Sequence, residues 1–338
     1  MSPQVLPLAD NYGRVATDLR VSLTDRCNLR CSYCMPAEGL DWLPDESTLT
    51  DDEVVRLLDI AVRRLGVNEV RFTGGEPLVR RGLVDIVART RAIGDDAGVP
   101  VEISLTTNAL GLHRNAEALK EAGLDRVNVS LDTIRRETFR EITRRDRMAD
   151  VIAGLAAARE AGLGPVKVNA VLLRGVNDDQ APELLRWAIG EGYDLRFIEQ
   201  MPLDAQHGWS RAEMVTAAEI LDRLEREFTL TPHSAPRGSA PAELFEVDGG
   251  PATVGVIASV TRPFCGDCDR VRLTADGQVR NCLFAREESD LRTAMRAGAG
   301  DEEIAQRWVT AMRGKLPGHG IDDPSFLQPD RPMSAIGG

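Results

Sequence analysis

Between residues 19 and 228, strand-like and helical patterns alternate, and nothing else in the 338-residue chain confines its fold so tightly. Apolar runs fall at 19–23, 70–72, 101–105, 126–131, 166–172 and 195–198. Helical patterns fall at 51–65, near 115–122, within 135–162, near 180–190 and near 216–228. The first helix shows the signals in full. Thr50 stands as N-cap, Asp51, Asp52 and Glu53 put negative charge in the first turn, and Gly66 stops the helix. Between them Val54, Leu57, Leu58, Ala61, Val62 and Leu65 repeat at helical spacing. Strand–helix alternation implies a parallel sheet with helices outside. A closed (β/α)8 barrel takes eight units in about 250 residues, so six units in roughly 220 point to an incomplete (β/α)6 TIM-like barrel. A doubly wound open sheet is the alternative, and in either α/β fold ligands sit at the C-terminal ends of the strands.

The pattern changes in a Pro-, Ser- and Ala-rich stretch at 232–241. We therefore expect a core domain over 1–235 and a smaller C-terminal α+β domain over 236–338. The second part shows short strands at 243–247 and 253–260, a hairpin around Ala275-Asp276-Gly277, and helices near 287–296 and 301–313. Residues 1–17 and 329–336 carry no periodicity. A net charge of −12 speaks against general binding to nucleic acid or anionic membrane, so any anionic ligand must be met by a local basic cluster. The chain has no apolar leader-like segment at residue 1 and no apolar run of about 18 residues, so a cytoplasmic protein is expected. Lys occurs only at 120, 167 and 315, which makes each one informative.

All six cysteines fall into two groups, Cys27/Cys31/Cys34 and Cys265/Cys268/Cys282. The first is a C-x3-C-x2-C loop directly after the first strand, short enough for its sulfurs to converge on one point. A closed zinc site wants four ligands, commonly as paired C-x2-C halves. Iron–sulfur clusters are also held by thiolates, and three ligands on a four-iron cube leave one iron open. In the second group zinc competes more strongly, because a ribbon with one His would look similar. His113, His207, His233 and His319 are all remote in sequence from it. Within that group Arg270-Val271-Arg272 puts two guanidiniums on one strand face, either solvated or aimed at phosphate.

Thr73-Gly74-Gly75-Glu76-Pro77 ends the second strand. Its glycines allow a ligand to approach the backbone, and Glu76 can accept from an ammonium group. Thr106-Thr107-Asn108 and Ser130-Leu131-Asp132 end the third and fourth strands, as caps or as ligand contacts.

Taken together, these motifs resemble the radical S-adenosylmethionine superfamily and, within it, the GTP 3′,8-cyclases of molybdenum cofactor biosynthesis. The resemblance runs from Arg20 through Cys27, Thr73–Pro77, Val129–Thr133, Gly175-Val176-Asn177-Asp178 and Arg196–Glu199 to the second cysteine set and Gly337-Gly338. Ala109 stands where the family has Gly, and Asp269 where it often has Asn.

The resemblance implies a partial barrel carrying two 4Fe-4S clusters, one on each cysteine set. It implies that S-adenosylmethionine meets Tyr33, Gly75, Glu76, Ser130 and Met201, and yields a 5′-deoxyadenosyl radical that takes the ribose C3′ hydrogen of GTP before closure on guanine C8. Arg20, Arg71, Thr106, Lys167, Arg196, Arg270, Val271 and Arg272 are the implied nucleotide contacts. Arg20, Arg270, Arg272, Gly337 and Gly338 are the implied catalytic group. The implied partners are an electron donor and the downstream cyclic pyranopterin monophosphate synthase, with the chain a monomer or homodimer. Two other readings stay open: a radical enzyme with an auxiliary cluster that modifies a peptide, and a non-catalytic zinc-ribbon protein.

Overall fold

The structure is a computed structural model that describes residues 5–337. It runs β1 (Asp18–Ser22), α1 (Asp51–Leu65), β2 (Glu69–Thr73), α2 (Leu83–Ala97), β3 (Glu102–Thr107), α3 (Ala116–Glu121) and β4 (Arg126–Ser130). The chain continues with α4 (Arg136–Thr143), α5 (Met148–Glu160), β5 (Lys167–Val171), α6 (Ala181–Glu191), β6 (Asp194–Ile198) and α7 (Ala217–Glu225). The last third holds β7 (Leu230–Pro232), β8 (Glu243–Val247), β9 (Thr253–Ile257), β10 (Arg270–Leu273), β11 (Gln278–Arg280) and β12 (Ser289–Asp290). It ends with α8 (Arg292–Arg296), α9 (Asp301–Arg313) and α10 (Met333–Ile336).

One sheet collects every strand, in the order β12-β11-β10-β1-β2-β3-β4-β5-β6-β9-β8-β7. From β1 to β6 the order follows the chain and every pairing is parallel. This singly wound progression is that of a partial barrel; a doubly wound sheet reverses its strand order. Residues beyond 241 continue the same sheet at both edges, β10 parallel to β1 and β9 parallel to β6. The parallel run therefore counts eight strands, and antiparallel β11–β12 and β8–β7 finish its two edges.

Alternation along the strands sets the layers. Leu19, Val21, Val70, Phe72, Ile103, Leu105, Val127, Val129, Val168, Leu195 and Phe197 are buried in one apolar cluster with the helix faces. The opposite face carries Arg20, Arg71, Ser104, Asn128, Lys167 and Arg196. A closed barrel of this size fills its inside with Val, Ile and Leu. Here the inside is polar, so the sheet wraps a ligand space rather than a second core.

Thr50 caps α1 with a complete capping box, and Gly66 ends it at φ 77°, as expected. Some elements differ from the sequence reading. Helix α2, implied by the count of six units but without a range of its own, starts at Leu83 after Gly82, an N-cap with no side-chain hydrogen bond. At 287–296 a two-residue strand precedes a five-residue helix. Residues 333–336, which carry no pattern, form a helical turn whose Ile336 is fully buried, so tertiary burial supplies what periodicity lacked. Ala109 takes φ 61° in place of the family's Gly. The left-handed conformation is kept despite the methyl group, because Ala109 is fully enclosed.

Candidate functional site

The cysteine loop leaves β1 and is tied to the ends of the neighbouring strands. Leu23 N–H donates to Thr73 O, Gly75 N–H to Thr24 O and Glu76 N–H to Arg26 O, at 2.7–2.9 Å. A Cβ on Gly74 would stand 2.3 Å from Thr24 O, and one on Gly75 would stand 2.4 Å from Asp25 O and Arg26 O. These glycines thus make room for the protein's own cysteine loop, and both also line the cavity beside it, where the sequence suggested room for a ligand. Asn108 and Asp132, left undecided above, also hold that loop. Asn108 Nδ2 donates to Asn28 Oδ1 at 2.7 Å, and Tyr33 Oη donates to Asp132 Oδ2 at 2.9 Å.

Glu76 is buried and accepts from Thr107 Oγ1, Asn108 N and Leu78 N at 2.7, 2.7 and 3.0 Å. Burial outweighs those donors and pushes its carboxyl up to about 7. A cationic ligand would hold it ionised. Burial likewise lifts Asp132 to about 6.

Cys27, Cys31 and Cys34 line a cavity of about 220 Å³ with Glu76, Ser130 and Met201. Burial pushes Cys27 up to about 11 and Cys34 up to about 12, so thiolates here need a strong positive centre. Among the described residues no three His, Cys, Asp or Glu side chains can hold a single metal ion. What the structure shows is that the three sulfurs share one cavity wall.

Below this cavity lies the basic layer. Register places Arg20 beside both Arg272 and Arg71, Arg71 beside Ser104, and Lys167 beside Asn128. Burial and neighbouring Arg20 hold the Arg71 guanidinium down at about 9. Burial, then Arg196 and Arg126, holds Lys167 down at about 8. Burial, then Arg20 and Arg270, takes Arg272 well below its ordinary value. Arg196 on β6 also acts on Arg71 on β2, and Arg20 on β1 acts on Arg196, so strands far apart in the sheet order face one another across the interior. Asp18 is the chief counter-charge: burial would raise its carboxyl, but Arg20, Arg71, Arg270 and Arg272 together hold it low. Five buried polar atoms on this face have no hydrogen-bond partner among the described residues: Asp18 Oδ1, Arg20 Nε, Ser22 Oγ, Asn128 Nδ2 and Asn169 Oδ1. Leaving such atoms unsatisfied costs about 1–3 kcal/mol each, so crowded cations and open donors describe a site for a polyanion with hydroxyl groups.

Cys265, Cys268 and Cys282 line a second cavity of about 80 Å³ with Arg270, Arg272 and His319, and Met201 walls both cavities. Both arginines, read from sequence as solvated or phosphate-directed, are less than a tenth exposed. Arg270 lies over the Phe264 ring at 4.5 Å. Val271 packs in the apolar cluster on the opposite face, by strand alternation, so its side chain does not join its neighbours in the site. His319, remote in sequence, comes within 4.9 Å of the Phe284 ring on this cavity wall.

Residues 333–337 lie over the barrel mouth. Met333 and Ser334 line the first cavity, and Arg272 Nη1 donates to Gly337 O. A Cβ at Gly337 would stand 2.5 Å from Ser22 Oγ and 2.6 Å from Thr73 Cγ2. Gly338 lies outside the described residues. Thr106 lines the first cavity, and Arg196 is half-buried on the inner face. Sequence reasoning missed Ser22, Asn128 and Asn169, although each alternates in step with an inward residue it had singled out.

The model of the Radical SAM superfamily matches residues 21–188, and that of Molybdenum Cofactor Synthesis C matches residues 193–321. The chain is 68% identical to the GTP 3′,8-cyclase of Streptomyces coelicolor, over 98% of this chain and 96% of that protein. It is 61% identical to that of Corynebacterium glutamicum (strain R), over 98% of this chain and 89% of that protein. Among solved structures, Streptococcus suis SuiB bound to precursor peptide SuiA superposes with TM-score 0.61 at 14% identity, covering 90% of this chain and 68% of that one. SuiB bound to S-adenosylmethionine gives TM-score 0.57 at 14% identity, with this chain spanning 66% of its length. At that identity the likeness is one of fold.

Proposed function

The chain belongs to the radical SAM superfamily, in the branch carrying the Molybdenum Cofactor Synthesis C region, and from that membership we propose that its site cyclises GTP between C3′ and C8. The observation that carries this is the basic, hydrogen-bond-deficient interior lying between two thiol-walled cavities that share Met201. A triphosphate neutralises such a layer, and a ribose offers hydroxyls to its open donors and acceptors.

On this reading Cys27, Cys31 and Cys34 hold one four-iron cluster, and Cys265, Cys268 and Cys282 hold a second. What the first supplies when bound is one-electron reduction of S-adenosylmethionine; the protein's part is placement and exclusion of water. Glu76 keeps oxygen lone pairs for the ammonium of the methionine end, while Tyr33, Gly75, Ser130 and Met201 frame the rest of that ligand. Arg20, Arg71, Lys167 and Arg196 bind phosphate, with Thr106 at the layer's upper edge. Arg270 and Arg272 turn the base toward the second thiol set. Gly337, held by Arg272, limits the space beside the ribose. Residues 1–235 form the core unit of this assembly and 236–338 the unit that holds the second cluster. An electron donor, and an enzyme that takes up the cyclised product, complete the scheme.

The test is anaerobic reconstitution followed by iron and sulfide analysis and product assay with GTP. Eight irons per chain and a 3′,8-cyclised nucleotide are expected. One cluster plus stoichiometric zinc would overturn the assignment.

A further inference from the structure

Lys315 stands just beyond α9 and is only 3% exposed. Its Nζ donates to Arg270 O at 2.9 Å, to Cys268 O at 3.1 Å and to Cys268 Sγ at 3.4 Å. Among the described residues no carboxylate pairs with it. A buried ammonium without a counter-ion is strongly disfavoured, and backbone carbonyls supply dipoles rather than charge. The one group in its shell able to carry a full negative charge is the Cys268 sulfur.

The position is braced from outside. Arg14, paired with Asp10, donates through Nη2 to Leu316 O at 2.6 Å and through Nη1 to Cys265 O at 2.6 Å. One guanidinium thus ties the segment after Lys315 to the loop carrying the second thiols, which keeps the ammonium from swinging into solvent. The two thiol sets also differ in their neighbours. Glu76, Asp132 and Asp204 lie near Cys27, Cys31 and Cys34 with Arg30 as the cation among them, whereas three cations, Arg14, Arg270 and Lys315, lie near Cys265 and Cys268.

We propose that Lys315 is a positioning residue whose charge, delivered to the Cys268 sulfur, raises the reduction potential of the cluster held by Cys265, Cys268 and Cys282 above that of the cluster held by Cys27, Cys31 and Cys34. A cation hydrogen-bonded to a ligand sulfur favours the more negative, reduced cluster, because outer-shell hydrogen bonds and net charge are what tune such potentials. This rests on the two-cluster reading above.

The experiment is an EPR-monitored redox titration of the reconstituted full chain, with and without GTP, so that the signal responding to nucleotide identifies the second cluster. Lys315→Gln keeps a donor for the two carbonyls and removes the charge; Lys315→Arg keeps the charge. The expected result is a reduction equilibrium about tenfold less favourable in Lys315→Gln, a shift of 59 mV for a one-electron couple, with Lys315→Arg closer to wild type. An unchanged potential in Lys315→Gln at full iron content would overturn the proposal. So would loss of the second cluster in both variants, which would make Lys315 a structural clamp. Four irons per chain in the wild type would instead refute the two-cluster reading.

Discussion

At the scale of single residues, the basic layer decides more than any thiol. Arg71 has one neutral hydrogen-bond partner, Ser104 Oγ at 3.2 Å from Nε, several cationic neighbours, and Asp18 as a counter-charge that it shares with Arg20, Arg270 and Arg272. Removing one member of a buried ion pair is costly when it strands the other, but Asp18 keeps Arg20, Arg270 and Arg272 when Arg71 is replaced, and the like-charge crowding falls. We therefore expect Arg71→Met to leave the apo protein at least as stable in thermal unfolding while GTP affinity falls about tenfold or more, a loss of about 1.4 kcal/mol or greater in calorimetry. A destabilised apo protein with unchanged affinity would show that Arg71 serves the fold. Lys167 makes the site pH-dependent in a definite direction. Its amine is held down at about 8, against an ordinary value of 10.5. Between those values the unfolded chain binds more protons than the folded one, so this residue makes apo stability rise with pH there. A bound triphosphate reverses the balance by favouring the ammonium. Binding then takes up a proton, and GTP affinity should fall as pH rises above about 8. Lys167→Met should bind weakly at pH 7 and show a flatter profile, measured by calorimetry in buffers of different ionisation enthalpy.

At the scale of elements, the Gly74-Gly75-Glu76 turn and the cysteine loop form one unit, since each supplies backbone partners to the other. Gly75→Ala drives a methyl group into two carbonyl oxygens at 2.4 Å. The backbone must shift, at a cost of about 3 kcal/mol, and the thiols shift with it. Iron content after reconstitution should fall to that of the second cluster alone; full occupancy would show that the loop adapts. The turn at 333–337 is the other unit. Ending the chain at Ile336 removes the Gly337 carbonyl from Arg272 and opens space beside Ser22 and Thr73. GTP affinity should change little while cyclised product falls steeply, because placement errors of about 1 Å cost on the order of a hundredfold in rate. Wild-type turnover would return this segment to a purely structural role.

At the scale of the molecule, one sheet runs through both halves of the chain. β9 completes one edge of the parallel run and β10 the other, and Glu199 fastens the end of β6 to both flanks. It accepts from Ala217 N at 2.7 Å and from Val260 N and Thr261 N at 2.8 and 2.9 Å. A fragment of 236–338 has its two strand sets at opposite edges with no β1–β6 between them. We expect it to show no cooperative unfolding by circular dichroism, and the whole chain to unfold in one transition. Two separate transitions would mean that the halves are stable apart.

Sequence alone determined the strand order of the first half, the capped helix α1, the parallel sheet and the six thiols, because each rests on local spacing or short-range chemistry. The family resemblance pointed to Arg20, Arg71, Lys167 and the Arg270–Arg272 strand, and in the structure Arg20, Arg71 and Lys167 share the inner face while Arg270 and Arg272 line the second cavity. Tertiary structure decided the rest. That the last third extends the first sheet depends on pairing Asp18 with Arg270 at one edge and Leu195 with Val254 at the other, contacts far apart in the chain that no local pattern encodes. Ser22, Asn128 and Asn169 became site residues only when curvature turned one strand face inward and left their polar atoms unpaired. His319 and Lys315 reached the second thiol set through chain crossings. The turn at 333–337, patternless by itself, became ordered because a buried Ile336 and an arginine waiting for a carbonyl were already in place.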